Sequence, residues 1–449
     1  MNGTDVKRGP EMKITHIKYK YMAALVVMAA LACSCGSQST ENQAKEEEET
    51  QAEETDQAEG ERRAEEADQV AGQTAEAEEA GSADAEETAG GEPADDVPVN
   101  AVESPESRKK KEMFGEDCIA EQCFEVELNG CEGTVWFVPF APSKNQSEFR
   151  MQIIRDGEIL SDITPYVSKK AGGKKFSSLD AVSFWDVNYD GFTDIVTVVT
   201  YGDTQSVVVY YGDMFKCEEE YWSFISEEEL SENLSAKADR PMTIAGIRNL
   251  LTGGKKNGEF ENYAEAYEAV ITLSELEGLA ASVTKYGGEF LYDMIYVNED
   301  EIPELVSGRT GYFVNLYTYR DGTLYTLMNH WAYGAGGNTG YEYAARKNSM
   351  RNYNADQAGA IMNTSYMRIN EENEIETPMW IESINYIDSN ENGMMDEGEE
   401  YGAGPDYING KKASPEEMEA VYAAYDMGDY QYIEGRMTVE DVRKALKSY

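Results

Sequence analysis

The chain has 449 residues and a formal net charge of −48. Residues 112–449 alone carry 60 acidic and 26 basic side chains, a net charge of −34, so the acidic excess is not confined to one segment. This charge would repel a phosphate backbone and excludes nucleic-acid binding, whereas it attracts cations.

The amino-terminal end has the pattern of an export signal. Lys13, Lys18 and Lys20 precede the apolar run MAALVVMAALA at residues 22–32. The run is too short for a transmembrane helix but has the length of a signal-peptide core. It ends at CSCGSQST, where Cys33 is the first candidate for lipidation and Cys35 is the second.

Small residues that end in a cysteine resemble the lipobox of bacterial lipoprotein signal peptides. The resemblance implies that residues 1–33 are a lipoprotein signal peptide and that Cys33 receives a diacylglyceryl group. The protein would then be anchored by lipid to the extracytoplasmic face of the cell membrane. An ordinary cleaved signal with incidental cysteines is the alternative.

Residues 34–111 are predicted to form a disordered acidic linker. From Gln38 to Lys111 there is no aromatic residue and hardly any aliphatic one. Such a segment buries too little apolar surface to offset the entropy of ordering. It would act as a stalk or as a solubilising tail.

Residues 112–225 are predicted to form a β-rich unit. Short segments rich in aromatic and β-branched residues alternate with turn signals, and Asp156-Gly157 and Gly202-Asp203 are typical of hairpin turns.

Residues 226–282 are predicted to form a helical insertion. Ser226 with Glu229 has the pattern of a capping box, Thr243 precedes a helical stretch that ends before Gly253, and Asn262 begins a third helix. The third helix should pack onto a sheet through the face formed by Tyr263, Ala266, Tyr267, Val270 and Ile271.

Residues 283–449 are predicted to form a second β-rich unit that ends in small helices from Ser414 and Thr438. DVNYDGFTDIV at residues 186–196 aligns with YVNEDEIPELV at residues 296–306, and each is followed by a strand pair. We therefore predict an α+β fold in which two related antiparallel β units are separated by the helical insertion.

The first copy of the repeat is a candidate calcium loop. Its oxygen ligands would be Asp186, Asn188, Asp190, the carbonyl of Phe192, and Asp194, with Gly191 at the sharp bend. The flanks are strand-like and no glutamate follows at position 12, so the stretch resembles the FG-GAP or VCBS calcium loops of β-repeat proteins. That resemblance implies a bound Ca²⁺.

A second candidate loop, DSNENGMMDEGE, matches the EF-hand loop pattern but lacks clear helical flanks. Its ligands would be Asp388, Asn390, Asn392, the carbonyl of Met394, Asp396 and Glu399. The copy at residues 296–305 has Tyr296 at position 1 and Glu301 in place of glycine, so we expect no ion there. Polar turns formed by Asp, Asn and Gly for local reasons are the alternative interpretation of both candidate loops.

A cluster of aromatic and basic residues is a weaker candidate for ligand binding. It consists of Trp331, Tyr333, Tyr341, Tyr343, Arg346 and Arg351 beside the glycine-rich stretch GAGGNTG. Such side chains form stacking platforms for sugars or peptides, but they are equally typical of an ordinary β-sheet core. In overall texture residues 180–449 resemble surface proteins of Gram-positive bacteria, and that resemblance implies no particular activity.

Motifs for catalysis are lacking in the sequence. His330 is the only histidine after the signal, and no G-x-S-x-G or H-E-x-x-H motif is present, so we assign no catalytic residue. Cys118, Cys123, Cys131 and Cys217 allow three disulfide pairings, and free buried thiols are the alternative.

The sequence therefore favours a calcium-stabilised surface lipoprotein that binds a glycan, a peptide or another surface protein without catalysis. A hydrolase that cleaves an extracellular polymer with two carboxylates is the alternative, and it would need the pair about 5 to 10 Å apart in an open cleft.

Overall fold

The structure is a computed structural model that describes residues 104–129, 133–144, 147–216, 220–280, 288–332, 338–390 and 394–447. The predicted signal peptide, the lipidation cysteines and the linker up to residue 103 lie outside these ranges. Within the described ranges, no helix combines the length and the apolar character needed to cross a bilayer.

The described residues form four antiparallel sheets, which we call sheets A to D. Sheet A contains β1 (Phe124–Glu127), β2 (Thr134–Phe140), β3 (Arg150–Arg155) and β4 (Glu158–Ile163). Sheet B contains β5 (Phe176–Trp185), β6 (Asp194–Tyr201), β7 (Thr204–Lys216) and β8 (Glu220–Ser226). Sheet C contains β9 (Phe290–Ile295), β10 (Glu304–Arg309), β11 (Phe313–Arg320) and β12 (Thr323–Ala332). Strands follow chain order within each of these three sheets.

Sheet D is larger and its order departs from the chain at one edge. It contains β13 (Asn338–Ala344), β14 (Ser349–Asp356), β15 (Ile361–Ile369), β16 (Ile375–Ile384), β17 (Asp406–Ile408), β18 (Lys411–Ala413) and β19 (Tyr430–Tyr432). The spatial order is β18-β17-β16-β15-β14-β13-β19. Strand β19 therefore forms one edge of the sheet by pairing with β13, which lies about 90 residues earlier in the chain.

The α-helices of the described ranges lie before, between and after the sheets. They are α1 (Pro105–Phe114), α2 (Glu228–Lys237), α3 (Ile244–Thr252), α4 (Tyr263–Leu276), α5 (Pro415–Tyr425) and α6 (Val439–Leu446). The mostly-β α+β fold with a helical insertion is thus the one that the sequence predicts.

Hydrophobic clusters join these elements into successive layers. Sheet A shares a cluster with sheet B, and the opposite side of sheet B packs on α2, α3 and α4. Helix α4 also packs on sheet C, whose opposite side packs on sheet D. Residues 194–199 of β6 and 206–210 of β7 are buried on both faces, so these valine-rich stretches do not alternate with exposed polar residues. Each such fully buried side chain stabilises the fold by about 1.5 to 3 kcal/mol.

Most of the predicted helix starts are confirmed. Thr243 and Asn262 each accept a hydrogen bond from a backbone N–H in the first turn of α3 and α4, and Ser414 forms a capping box with Glu417. Thr438 caps α6 by accepting a hydrogen bond from the backbone N–H of Asp441. The predicted face of α4 is packed against sheet C, as expected.

Two local predictions differ from the structure. Ser226 does not cap α2, because its backbone is paired with β7 as the last residue of β8; the helix begins at Glu228 without a side-chain cap. Helix α1 begins at Pro105, inside the segment predicted to be disordered up to Lys111. It forms because Ser104 caps it and because Lys110 donates a 3.0 Å hydrogen bond to the carbonyl of Cys123.

Candidate functional site

The first candidate calcium loop connects β5 to β6, and its side chains accept backbone hydrogen bonds. The Asp186 carboxylate accepts from the N–H groups of Asp190 at 3.0 Å and Gly191 at 2.9 Å. Asn188 and Asp190 each accept a hydrogen bond from the N–H group two residues further on. Gly191 has φ +91°, a conformation that other residues rarely adopt, so the glycine is required at this bend.

Asp194 closes the loop from inside the core. Its side chain is fully buried, and its two oxygens accept hydrogen bonds from the N–H groups of Val187 at 2.6 Å and Gly212 at 2.8 Å. These bonds tie the start of the loop and β7 to the same carboxylate. Asp194 is therefore a framework residue of the loop whether or not it contacts an ion.

The carboxylates of this loop are held in a poorly hydrated environment. Burial, with a smaller effect of the neighbouring Asp190 charge, raises the pKa of Asp186 to about 7. Burial also raises the pKa of Asp194 well above its ordinary value. A cation placed among these oxygens would favour their ionised forms, so the chemistry of the donor set fits a hard dication.

The second copy of the repeat has the same hydrogen-bond pattern as the first, but it lacks the same set of oxygen ligands for a metal ion. Glu304 is fully buried and accepts a hydrogen bond from the N–H of Val297 at 2.8 Å, as Asp194 does from Val187. Asn298 and Asp300 accept from N–H groups two residues on, as in the first copy. Burial raises the pKa of Glu304 to about 7. The predicted repeat is therefore confirmed in three dimensions, and its turn geometry alone does not require a metal.

The first loop also joins sheet B to the helical layer and sheet C. Tyr189 has φ +62° and is only 6% exposed, and its side chain belongs to the cluster formed by α4, Phe290 and Tyr292. The hydroxyl of Thr326 in β12 donates a hydrogen bond to the Tyr189 carbonyl. The loop is thus an internal clasp between the two related sheets.

The EF-hand-like loop lies at the surface after β16. Glu399 accepts hydrogen bonds from the N–H groups of Ser389 at 2.8 Å and Asp396 at 3.0 Å, and these bonds lower its pKa. Asn390 donates a 2.6 Å hydrogen bond to Asp396. Asn392 and Gly393 lie outside the described residues, while Met394 is 55% exposed and Asp388 is half-buried.

In the part of the chain that the structure describes, no three or more His, Cys, Asp or Glu side chains are arranged as a metal site. The first loop holds the Asp186 and Asp190 carboxylates and the Asn188 amide within one turn, and oxygen donors of this kind suit a hard dication.

The aromatic and basic side chains of the weaker candidate site do not form one surface. Tyr341 and Tyr343 are buried in the core between sheets C and D, and the ring of Trp331 lies 5.4 Å from that of Tyr341. Tyr333 lies outside the described residues. A ligand cannot reach Tyr341 and Tyr343 in this structure. These two residues are therefore part of the β-sheet core and do not form a binding platform.

The two arginines of that set are held by neighbouring side chains. Arg346 stacks on Tyr296 with 4.2 Å between the guanidinium carbon and the ring centroid. Arg351 donates a 2.6 Å hydrogen bond to Glu342 and stacks on Tyr430. His330 is exposed and its ring stacks on Phe313 at 3.7 Å.

A polar cleft of about 820 Å³ lies beside the second repeat loop, between sheet C and the β15–β16 turn. Its polar lining includes Asn298, Asp300, Arg320, Arg368, Glu372 and Asn373. Tyr319 also lines the cleft, but its ring packs in the cluster of α4 and sheet C and its hydroxyl donates a 3.1 Å hydrogen bond to the Phe260 carbonyl. Sequence reasoning missed this site, because the lining comes from loops that are about 70 residues apart and no single motif contains them.

Hydrogen bonds hold the walls of the cleft in place. Asn348 exchanges two hydrogen bonds with the backbone of Ile369, and Arg368 forms an ion pair with Glu376. Arg320 donates a 3.2 Å hydrogen bond to the carbonyl of Glu371. The cleft therefore presents mixed hydrogen-bond donors and acceptors on walls that hydrogen bonds and an ion pair hold in place.

No protein-family model matches this chain, and no curated protein matches it in sequence.

Proposed function

We propose that the protein is a lipid-anchored surface protein whose β-rich body binds a glycan, without catalysis, in the polar cleft beside sheet C. The single observation that carries this proposal is the composition of the cleft. Amide, carboxylate and guanidinium groups offer both donors and acceptors, as a hydroxyl-rich ligand requires.

The cleft can be tested with matched variants in one turn. Glu372 lines the cleft with an exposed side chain, whereas Glu374, two residues on, is exposed but does not line it. We expect Glu372→Ala and Arg320→Ala to weaken binding of an oligosaccharide by roughly tenfold, because each removes a charged hydrogen-bonding group. Glu374→Ala should bind like the unchanged protein.

The measurement is titration calorimetry with the best ligand from an oligosaccharide panel, together with melting of each variant to verify folding. Equal weakening by Glu374→Ala, or no binding by any member of the panel, would refute the proposal. Release of reducing ends during the titration would instead favour the hydrolase alternative, for which the cleft offers the carboxylates of Asp300, Glu371, Glu372 and Glu376.

We also propose that the first loop binds Ca²⁺ through Asp186, Asn188, Asp190 and the carbonyl of Phe192. The proposal is supported by the oxygen-only donor set and by the raised pKa of the half-buried Asp186 carboxyl. Asp194 would hold the loop from below. Because Tyr189 of the same loop packs on α4 and sheet C, an ion here would stabilise the contact between the two related sheets. Asp388, Asn390, Asn392, Met394, Asp396 and Glu399 remain the candidate ligands of a second, exposed calcium site.

Calcium should raise the melting temperature of the purified chain, and a chelator should lower it. At a concentration about 100 times the dissociation constant, one site adds about 2.7 kcal/mol to the free energy of unfolding. Asp190→Ala should remove most of this shift. Asp300→Ala is the matched control at the same position of the second copy, and it should leave the shift intact. A response unchanged by Asp190→Ala would assign the ion to the Asp388 loop alone.

The anchor is proposed from the sequence resemblance and needs a cellular test. We expect Cys33→Ala to move the protein from the membrane fraction to the medium, because a thiol at this position carries the lipid. Cys35→Ala should remain in the membrane fraction. Retention of the Cys33 variant, detected by immunoblot of separated fractions, would contradict lipidation at Cys33.

A further inference from the structure

Two buried cysteines face each other in the segment between α1 and β1. The sulfur atoms of Cys118 and Cys123 are 3.4 Å apart, and the residues are 4% and 1% exposed. Both are free thiols. Cys131 and Cys217 lie outside the described residues, so the structure brings together one specific pair among the cysteines of the body.

The backbone on both sides of this pair is fixed to sheet A. Cys118 forms a β-bridge with Phe140, and the N–H of Ile119 donates a 2.9 Å hydrogen bond to the carbonyl of Pro139. Cys123 follows a short 3₁₀ turn and leads directly into β1. Backbone pairing with sheet A therefore fixes the positions of both thiols.

The pair lies where α1 is attached to the body. Lys110 of α1 donates a hydrogen bond to the carbonyl of Cys123, and Ser107 donates one to Glu121 at 3.3 Å. The ring of Phe114 at the end of α1 packs on Trp136 of sheet A at 5.3 Å. Both side chains belong to the same small cluster as the two cysteines.

We propose that Cys118 and Cys123 form a reversible disulfide, closed by exchange with an external disulfide, and that this bond locks α1 onto sheet A. Closure converts two protein thiols and one external disulfide into one protein disulfide and two external thiols. Because both thiols are nearly covered, exchange takes place before α1 packs on them or when that helix opens.

Cys118 is the attacking thiol. The hydrogen bond between the two thiols and the nearby Lys111 charge lower the pKa of Cys118, whereas the same hydrogen bond and burial raise that of Cys123. The Cys118 thiolate attacks one sulfur of the external disulfide, and the other sulfur leaves as a thiolate. Cys123 then loses its proton and attacks the Cys118 sulfur, releasing the second external thiol.

The test is refolding of the full chain in buffers of glutathione disulfide and glutathione, followed by alkylation and peptide mass mapping. A variant that combines Cys33→Ser, Cys35→Ser, Cys131→Ser and Cys217→Ser leaves only the proposed pair. We expect it to have no alkylatable thiol after oxidising refolding and two after reduction. Thiols that stay free in the oxidising buffer, or wild-type chains that join either cysteine to Cys131 or Cys217, would overturn the assignment.

The effect of the disulfide on the attachment of α1 can be measured separately from disulfide formation. Arg108 and the three lysines after it lie in α1, so trypsin cleavage there reports opening of the helix. We expect cleavage to be at least about fivefold slower in the oxidised than in the reduced protein. Cys118→Ser cannot form the disulfide, so in both buffers trypsin should cleave it at the rate of the reduced wild-type protein. Equal cleavage of oxidised and reduced wild-type protein would refute the lock even if the disulfide forms, and that comparison does not depend on how well the variant folds.

Discussion

Replacing Tyr189 by alanine should lower the free energy of unfolding by about 3 to 5 kcal/mol, the range for truncating a large buried aromatic residue. The side chain is buried in the cluster that α4 forms with sheet C, although the residue belongs to the loop between β5 and β6 of sheet B. Its loss would leave a cavity where the two related sheets are joined. Tyr189→Phe keeps the ring and should cost much less.

Urea unfolding of the full chain, followed by intrinsic fluorescence and by far-ultraviolet circular dichroism, measures this effect. Tyr312→Ala is the matched control, because Tyr312 lies in a turn of sheet C and is 40% exposed. It should change the midpoint little. A small loss for Tyr189→Ala, equal to that of Tyr312→Ala, would show that the loop does not clasp the sheets.

In the absence of calcium, the protein should become less stable as the pH rises toward neutrality. Burial raises the pKa of Glu304 from 4.5 to about 7. The folded state therefore favours the protonated carboxyl, and the stabilisation is fully present below the unfolded pKa and is lost as the pH rises through 7. Between about pH 5 and about pH 8 this one group should lower the free energy of unfolding by roughly 2 to 3 kcal/mol.

Glu304→Gln tests this directly, because the amide retains an acceptor for the Val297 N–H but does not titrate. Urea midpoints measured with chelator across that pH range should fall less steeply for the variant than for the unchanged protein. Glu277, whose pKa burial also raises to about 7, accepts a 2.6 Å hydrogen bond from Tyr211. Glu277→Gln should change the slope in the same direction but by less, since Glu277 is only half-buried. Parallel pH curves for all three proteins would exclude both assignments.

The local turns of the two repeat loops could be predicted from the sequence, whereas their long-range contacts could not. The alignment of residues 186–196 with residues 296–306 predicted related turns, and the buried Asp194 and Glu304 occupy equivalent places. Such turns are local, because each acceptor lies within about eight residues of its donor. The alignment could not show that Tyr189 is buried against another sheet, since that contact joins residues about 70 to 140 positions apart.

The same difference between local and long-range contacts explains which candidate sites the sequence could not predict. The polar cleft beside sheet C has no motif, because its lining comes from four separate segments of the chain, residues 298–302, 318–320, 348 and 368–376, which meet only when sheets C and D pack together. The aromatic residues near position 340 looked like a surface platform because they lie close together in the chain. Strand alternation instead directs Tyr341 and Tyr343 into the core.

By itself, the sequence determined the fold class, the hairpin turns, most helix starts and the repeated loop, because these depend on periodicity and on bonds between near neighbours. Only the tertiary structure decided which loop became an internal clasp, which cysteines meet and where a cleft opens. Those features depend on which faces of distant sheets are buried against each other, and burial is a property of the packed chain that a linear pattern of residue types does not specify.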